Sequence, residues 1–216
     1  ENKLFFSYDL IGNSVNIHKQ ITKILENSLS VYKVDVKQLK ILDPDIVITQ
    51  AHCDVCAVSL KEVEEIVFKH LSEKTKIISL QPNTLNDVLE DIKRVAIGLD
   101  IEIAKVNNLI KPLIDRLENI KSKNKNKIKP KVACIEWIDP LMAAGNWIPE
   151  MVNISGGEDA FGKSGKDSHW INFKDIEEHD PDIIIFLPCG YNIEKTNNEV
   201  ESLVKKNVEW RRLKAF

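Results

Sequence analysis

The chain has 216 residues, of which 43% are hydrophobic and 29% charged, and its formal net charge is −3. These proportions are ordinary for a soluble globular protein that buries a core. The one basic run, residues 121–131, has no interleaved aromatics, which predicts a solvated linker and no nucleic-acid partner. No apolar stretch reaches transmembrane length, and the four cysteines are too few for a disulfide scaffold.

The first residues, Glu1–Phe6, lack the form of a signal peptide. The chain does not start with Met, so a processed or trimmed end is compatible with the sequence. Localisation therefore stays open between an extracytoplasmic and a cytoplasmic protein.

The first part of the chain alternates helical and strand patterns. The apolar spacing, the caps and the continuous apolar runs each indicate an element type. The predicted elements are a helix over Ser14–Leu29, a short helix from a cap at Asp35 to Leu42, a strand over Asp45–Thr49, a helix from a capping box at Ser59 to Leu71, and a strand over Lys76–Leu80.

Residues 83–130 contain no strand pattern and predict two successive helices. Apolar residues recur at helical spacing on both sides of a break at Gly98. The second helix, within Asp100–Ile120, would be roughly 30 Å long at the standard rise per residue. Pro112 lies inside it and predicts a kink or an end to its first part. A helix of this kind is typical of a rigid spacer between two lobes.

A second α/β pattern follows. Its elements are a strand over Lys131–Glu136, a helix over Trp147–Ser155 ended by Gly156 and Gly157, a helix over Phe173–His179 started near Asn172, a strand over Asp182–Leu187, and a polar helix over Ile193–Lys206. Cys134 lies inside the first strand and is expected to be a small buried hydrophobe.

One string, Asp-Pro-Asp-Ile-aliphatic-Ile, occurs twice, at Asp43–Ile48 and Asp180–Ile185. Each copy follows a short helical pattern and precedes a loop with unusual chemistry. Pro-Asp before an apolar strand is a common turn, so coincidence is an alternative. We prefer two similar lobes because the flanking helices repeat as well. Ligands sit outside the carboxyl ends of strands in open α/β sheets, so the two loops are expected to form opposite walls of one cleft.

The most distinctive segment is Ile135–Glu150, which leaves a strand and carries two tryptophans, Trp137 and Trp147. Two such rings on a strand-end loop favour a large flat or amphipathic ligand, although both could instead fill the lobe's core. The carboxylates of Glu136, Asp139 and Glu150 could form an acid/base set, but no nucleophile or phosphate loop accompanies them. The segment therefore indicates binding more than catalysis.

Three groups of motifs carry a family resemblance that spans nearly the whole chain. They are Pro44–Gln50 with Cys53–Ser59; Glu136–Pro140 with Gly145–Glu150 and Gly156–Gly157; and Asp180–Asp182 with Pro188–Gly190. In their order and spacing the chain resembles the cobalamin-binding proteins of the periplasmic-binding-protein type, whose two lobes are joined by a single helix. The Asp-Pro-Asp turn is a weak signal by itself, whereas the cysteine and tryptophan segments are specific.

The resemblance implies two α/β lobes with mainly parallel sheets and a long inter-lobe helix. The expected boundaries are 1–99 for the N-terminal lobe, 100–129 for the linking helix and linker, and 130–216 for the C-terminal lobe. It also implies cobalamin or a related corrinoid bound between the lobes, for uptake or scavenging. No catalysis, resident cofactor or bound metal is expected, and an ABC transporter permease is a possible partner.

The resemblance carries ligand contacts over to particular residues. Gln50, Cys53 and Cys56 fall on one wall. Trp137, Asp139, Asn146, Trp147, Glu150, Cys189 and Tyr191 fall on the other. Trp170, next to His169, lies on a loop that is expected to reach the cleft.

The chain departs from the family in several places. The family's first strand and Gly-rich turn, and its last strand beyond Phe216, are absent, and an open sheet edge invites pairing. A homodimer formed by strand or segment exchange is therefore one expectation. Asn146 stands where the family often has His, which puts metal coordination there in doubt, and Lys174 beside Asp175 leaves docking to a permease an open question.

Cys53 and Cys56 allow three interpretations. They could be a redox dithiol, although the usual motif opens a helix within a thioredoxin pattern. With His52 and Cys189 they could hold zinc, which needs four ligands. We prefer a tight turn whose thiols line the ligand site. Because a fold does not fix its ligand, an iron-siderophore or haem is the alternative cargo.

Overall fold

The computed structural model describes residues 5–7, 11–25, 32–50 and 60–216. The chain divides into two compact units. The first contains the described residues of 1–12, 16–82 and 86–110, and the second contains 13–15, 83–85 and 111–216. The boundaries expected from the sequence stay predictions, as does the cleft between the lobes.

The described strands of the first unit form two pairs. An antiparallel pair joins β1 (Phe5–Ser7) to β2 (Tyr32–Val34), and a parallel pair joins β3 (Ile46–Gln50) to β4 (Lys76–Leu80). Among the described residues up to 124, the helices are α1 (Ser14–Leu25), α2 (Val36–Leu42), α3 (Leu60–His70), α4 (Leu85–Gly98) and α5 (Ile103–Asn124). The helices and long strands follow the sequence patterns closely, whereas the three-residue strands β1 and β2 were not predicted.

Helix α5 is continuous through Pro112, so the expectation that this proline could end the helix is wrong. Proline removes one backbone hydrogen bond and crowds the preceding turn. Val106 and Ile110 lie before it and are 4% and 3% exposed. Their packing against Ala96 of α4 stabilises the helix and offsets the local cost of the proline.

The second unit is built around β5 (Lys131–Trp137), which pairs with three other strands. Parallel pairing joins it to β9 (Ile183–Phe186) and β7 (Glu158–Asp159), and antiparallel pairing joins it to β6 (Met142–Ala143), which in turn pairs with β8 (His169–Trp170). The remaining helices are α6 (Ile148–Ile154), α7 (Phe173–His179), α8 (Ile193–Lys206) and a final 3₁₀ helix, Val208–Arg212. The mixed α/β fold expected from the sequence is confirmed.

The core of the second unit contains Trp210, which the sequence did not single out. Its side chain is 1% exposed and packs with Ile135 and Ile176, both 0% exposed. Trp137 and Trp147 are only partly buried and belong to neither buried cluster of this unit. The unit therefore fills its centre with a different tryptophan, and the two on the Ile135–Glu150 segment remain near its surface.

Cys134 lies in the middle of β5 and is 3% exposed, which confirms its expected burial. Removal from water, with the nearby negative charge of Asp159 adding a smaller effect, raises the pKa of this thiol to about 11. A thiol is reactive only as its thiolate. Cys134 is therefore an inert packing residue near neutral pH.

Within the described part of the chain, no helix combines the length and apolar character needed to cross a membrane.

Candidate functional site

The candidate site lies at the edge of the second unit where β5 and β9 end. These strands are parallel, with Val132 opposite Ile183 and Ile135 opposite Phe186, so their carboxyl ends lie at the same edge. The segment after β9 reaches Tyr191, and Trp137 is the last residue of β5. This edge is where open α/β sheets place ligands.

Trp137 and Tyr191 form an aromatic pair at this edge. Their ring centroids are 5.6 Å apart and their planes cross at 61°, an edge-to-face arrangement that aromatic rings prefer. The Lys195 Nζ lies 3.8 Å from the centroid of the Tyr191 ring, close enough for a cation–π contact. The pair offers a preformed aromatic surface whose two rings orient each other.

The phenol of Tyr191 is held in its neutral form. Burial raises its pKa above the ordinary value, and the negative charge of Glu199 and the hydrogen bond to that carboxylate raise it further. Near neutral pH the hydroxyl therefore keeps its proton and acts as a donor.

Two polar atoms near this edge are buried without a hydrogen-bond partner among the described residues. They are the Trp137 Nε1, a donor, and the Asn146 Oδ1, an acceptor. A buried unsatisfied group costs about 1–3 kcal/mol. Asn146 also adopts a positive φ of 55°, a conformation that asparagine tolerates better than most residues. Each atom exposes less than 1 Å² to solvent, so a ligand could reach either one only if the surrounding side chains moved.

A hydrogen-bonded network holds the loop that carries Asn146. The Gly145 N–H donates to the Ser168 Oγ at 3.1 Å, and that hydroxyl donates to the Glu136 Oε2 at 2.7 Å. Gly145 packs so closely against the backbone at Lys166 that a Cβ there would overlap it. Glu136, one of the carboxylates noted in the sequence, therefore supports the loop through Ser168.

Cys189 lies beside the same carboxylate. Its thiol is exposed and its Sγ is 3.6 Å from the Glu136 Oε1. Tyr191 follows two residues later, so the structure brings these two predicted site residues to the same strand end as Trp137.

Glu150 has a structural contact that the sequence did not predict. Its Oε2 accepts a hydrogen bond from the Leu85 N–H at 3.0 Å, and Leu85 is the first residue of α4. A carboxylate at a helix start satisfies an otherwise unpaired amide and complements the helix dipole. Contact of Glu150 with a ligand stays a prediction.

The other predicted residues of this wall are placed as follows. Trp147 is the N-cap of α6 and is partly buried. Trp170, on β8, is 55% exposed and lies opposite Met142. Asp139 precedes a cis peptide bond to Pro140 and lines the pocket described next.

A pocket of about 270 Å³ opens beside the aromatic pair. Most of its lining residues carry polar side chains, although their apolar atoms form the larger part of its surface, and they come from α8, the start of α1 and the residues that follow β5. The lining residues are Asn13, Ser14, Val15, Ile138, Asp139, Lys195, Asn198, Glu199, Ser202, Leu203 and Lys206. Of these, only Asp139 was predicted, because the lining side chains of α8 read in sequence as a solvated helix face.

Of the three site residues predicted in the first unit, one lies within the described part of the chain. Gln50 is the last residue of β3 and is exposed. Cys53 and Cys56 lie outside the described residues, as does His52, so the redox, zinc and turn interpretations all stay predictions. Among residues 5–7, 11–25, 32–50 and 60–216, no group of three His, Cys, Asp or Glu side chains is arranged to hold a metal ion.

Residues 26–216 match the family model described as periplasmic binding protein. Since the match spans most of the sequence, the chain belongs to the periplasmic binding protein family. This family works by binding a small ligand and delivering it to an ABC transporter permease, and its members are typically extracytoplasmic.

Solved structures with the same fold have low sequence identity to this chain. An ABC transporter substrate-binding protein from Listeria monocytogenes EGD-e has 19% identity and a TM-score of 0.68, with 87% of this chain and 68% of that chain covered. S. aureus IsdE, complexed with heme, has 21% identity and a TM-score of 0.66, with 85% and 68% covered. The periplasmic vitamin B12 binding protein BtuF of Vibrio cholerae has 15% identity and a TM-score of 0.54, with 71% and 58% covered.

At these identities the likeness shows the fold alone. No curated protein sequence matches the chain.

Proposed function

We propose that the chain binds cobalamin or a related corrinoid and acts as the substrate-binding component of an uptake system. The observation that carries this proposal is the strand-end edge of the second unit, where the Trp137–Tyr191 pair lies. The motif resemblance supports it, and so does the shared fold of the Vibrio cholerae protein that binds vitamin B12. A partner permease follows from the family.

The aromatic pair would provide most of the binding free energy. Ligand sites are mostly apolar, with a few polar groups that set orientation. Trp137 and Tyr191 supply apolar area, and burying such area contributes about 25 cal/mol per Å². The pocket of about 270 Å³ lies below the range of roughly 300–1,000 Å³ that is usual for whole small-molecule ligands. It therefore fits a peripheral group of the ligand and not the whole macrocycle.

The unpartnered polar atoms would favour a corrinoid over a haem where ligand binding uncovers them, since each exposes less than 1 Å². The Asn146 Oδ1 needs a donor and the Trp137 Nε1 needs an acceptor. Carboxamide groups, which line the corrin periphery, supply both, whereas the carboxylates of a haem supply only acceptors. A carboxylate against the Asn146 oxygen would leave that oxygen unsatisfied, at a cost of about 1–3 kcal/mol.

Haem or an iron-siderophore is the second candidate. The specific observation in favour of haem is the higher TM-score, 0.66, of S. aureus IsdE complexed with heme.

Parallel titrations distinguish these ligands. Purified protein is titrated with cyanocobalamin, hemin and a ferric siderophore, and binding is followed by the visible spectrum and by calorimetry. We expect saturable binding of cyanocobalamin with a shifted spectrum. Absence of cyanocobalamin binding at high micromolar concentration would contradict the proposal, and tighter binding of hemin would favour the second candidate.

Truncating the aromatic pair tests the site itself. Trp137→Ala and Tyr191→Ala should each weaken cyanocobalamin binding by about 30-fold, the equivalent of about 2 kcal/mol for a lost aromatic anchor. Phe68→Ala is the matched control, since Phe68 is an aromatic residue of the first unit that is 87% exposed. An equal loss in the control variant would place the binding surface elsewhere.

Asn146→Asp separates the two ligand classes. Aspartate tolerates the same positive φ and accepts hydrogen bonds from amides, but it repels carboxylates. We expect cyanocobalamin affinity to change by less than about threefold and any hemin affinity to fall by about tenfold, as for one unfavourable charged contact. Calorimetry on the variant and the parent protein measures both changes, and a larger loss for cyanocobalamin than for hemin would contradict the assignment of Asn146.

A further inference from the structure

Glu199 joins two parts of the second unit that are far apart in sequence. Its carboxylate accepts a hydrogen bond from the Ser14 Oγ at 2.7 Å and from the Ser14 N–H at 2.9 Å to Oε1 and 3.1 Å to Oε2. The Tyr191 hydroxyl donates to its Oε1 at 3.3 Å. One side chain of α8 therefore holds both the first residue of α1 and the aromatic wall.

The contact with Ser14 fixes the carboxylate. Ser14 is 1% exposed, and both of its donors point at the same charged group. Hydrogen bonds to an ionised acceptor are roughly twice as strong as neutral ones, and a negative charge at a helix start complements the helix dipole. Glu199 therefore has a defined orientation from which it can hold a second group.

That second group is Tyr191, whose ring is restrained at three points. Glu199 accepts from its hydroxyl, the Lys195 Nζ lies over its face, and Trp137 packs edge to face against it. Lys195 and Glu199 are one helical turn apart on α8, so they lie on the same side of that helix. The hydrogen bond from the hydroxyl to Glu199 restricts the rotation of the Tyr191 side chain.

We propose that Glu199 is a positioning residue of the ligand site, which holds Tyr191, and through it Trp137, in the orientation that receives the ligand. The proposal rests on the proposed function and adds to it a residue that acts through the aromatic pair. Ser14 is the anchor of this arrangement, because it fixes the carboxylate on which Tyr191 depends.

A double-mutant cycle tests the proposal. Cyanocobalamin affinity is measured for the parent protein, Glu199→Ala, Tyr191→Phe and the double variant. Glu199→Ala should weaken binding by about tenfold in the parent background but by less than about twofold in the Tyr191→Phe background, because the hydroxyl is then already absent. An equal loss in both backgrounds, or no loss in the parent background, would overturn the proposal.

Two further variants separate positioning from general stability. Glu199→Gln keeps the side-chain length and one acceptor oxygen, so it should recover at least half of the logarithmic loss in affinity; no recovery would count against a positioning role. Glu201→Ala is the matched control on the same helix, since Glu201 is exposed and forms an ion pair with the exposed Lys205. An equal loss of affinity in this control would also overturn the proposal.

The fluorescence of Trp137 tests the positioning role of Glu199 even if cyanocobalamin does not bind. The emission of Trp137 is obtained as the difference between the parent and Trp137→Phe, and again as the same difference in the Glu199→Ala background. We expect this difference spectrum to shift when Glu199 is removed. Failure of cyanocobalamin to bind would sink the proposed function, whereas an unchanged Trp137 emission would sink the role of Glu199.

Discussion

The two copies of the Asp-Pro-Asp unit share their local geometry. In each, a seven-residue helix begins at a side-chain cap and ends at an aspartate with positive φ, 38° at Asp43 and 41° at Asp180. The amide of each aspartate donates to the carbonyl four residues back, in the middle of the helix, that of Leu39 in the first copy and Ile176 in the second. A parallel strand follows in both copies, so the same turn chemistry produces the same local structure.

The copies differ in what surrounds them. Ile176 is fully buried in a cluster that contains Trp210 and Leu213, from the end of the described chain. Leu39, at the matching position of the first copy, is 6% exposed and does not belong to the larger clusters of the described residues. The repeated string therefore sets the turn, and distant residues set how much each turn contributes to stability.

The contacts of the last aspartate of each string show the same difference. Asp45 accepts a hydrogen bond from the Lys76 N–H through its backbone carbonyl. Asp182 uses both its amide, which donates to the Lys131 carbonyl, and its carboxylate, which accepts from the Lys131 N–H at 2.8 Å. The aspartate of the second copy therefore uses its carboxylate to hold the neighbouring strand, whereas in the first copy the second bond comes from the Thr75 hydroxyl to the Pro44 carbonyl at 3.1 Å.

The largest expected effect comes from the matched core positions. Ile176→Ala removes a fully buried side chain from the cluster around Trp210 and should cost about 4 kcal/mol of unfolding free energy, whereas Leu39→Ala should cost about 2 kcal/mol. Urea unfolding followed by circular dichroism, with tryptophan emission as the report on Trp210, measures both. A cost for Leu39→Ala equal to or above that of Ile176→Ala would contradict the difference in burial between the copies.

A smaller effect is expected at the helix starts. Asn172 takes part in a reciprocal capping box with Asp175, whereas Asp35 accepts from Gln38 by its side chain. Replacing a side-chain cap by alanine costs about 1 kcal/mol. We expect Asn172→Ala to lower the free energy of unfolding more than Asp35→Ala, because losing the bond from the Asp175 N–H also loosens the Asp175 carboxylate that accepts from the N–H of residue 172. The same urea transitions test this order, and Asn197→Ala on the exposed face of α8 is the control.

The sequence predicted these turns because their signals are local. A capping residue, a left-handed aspartate and a proline act within a few residues, so Asp35, Asn172 and both Asp-Pro-Asp turns could be located from the string itself. The continuity of α5 through Pro112 could not, because the proline signal is local while the packing of Val106 and Ile110 against α4 is tertiary.

The candidate site also contains residues that could be predicted from the sequence and residues that could not. Trp137, Tyr191 and Cys189 were predicted because strand ends are readable from apolar runs and the loops behind them carry unusual residues. Glu199 and Ser14 were not predicted, since a glutamate on a polar helix is indistinguishable in sequence from its solvated neighbours. The capping of α4 by Glu150 was missed for a related reason: its partner, Leu85, is distant in sequence, and a backbone amide leaves no sequence signal.

The smallest expected effect concerns pH and belongs to the second copy. The Lys214 ammonium pairs with the Asp180 carboxylate at 3.1 Å, and the Lys214 N–H donates to Asp180 at 3.2 Å. These hydrogen bonds hold the pKa of Asp180 below its ordinary value, with the positive charge adding a smaller effect. A carboxyl whose pKa is lowered by folding stabilises the folded state above its unfolded pKa, near 3.8, and loses that contribution as the pH falls through the folded pKa.

The contribution of Asp180 is therefore present at neutral pH and declines only in acid, below about pH 4. Asp180→Asn keeps a residue suited to the positive φ but removes the titration, so its stability should depend less on pH between about pH 4 and pH 2 than that of the parent protein. Urea unfolding at several acidic pH values measures the change, which should be small because both side chains are exposed and screened by solvent. Lys205→Ala is the control, since it removes an exposed lysine whose ion pair is with Glu201. An unchanged acid dependence in Asp180→Asn would show that the ion pair between Asp180 and Lys214 does not distinguish the second copy from the first.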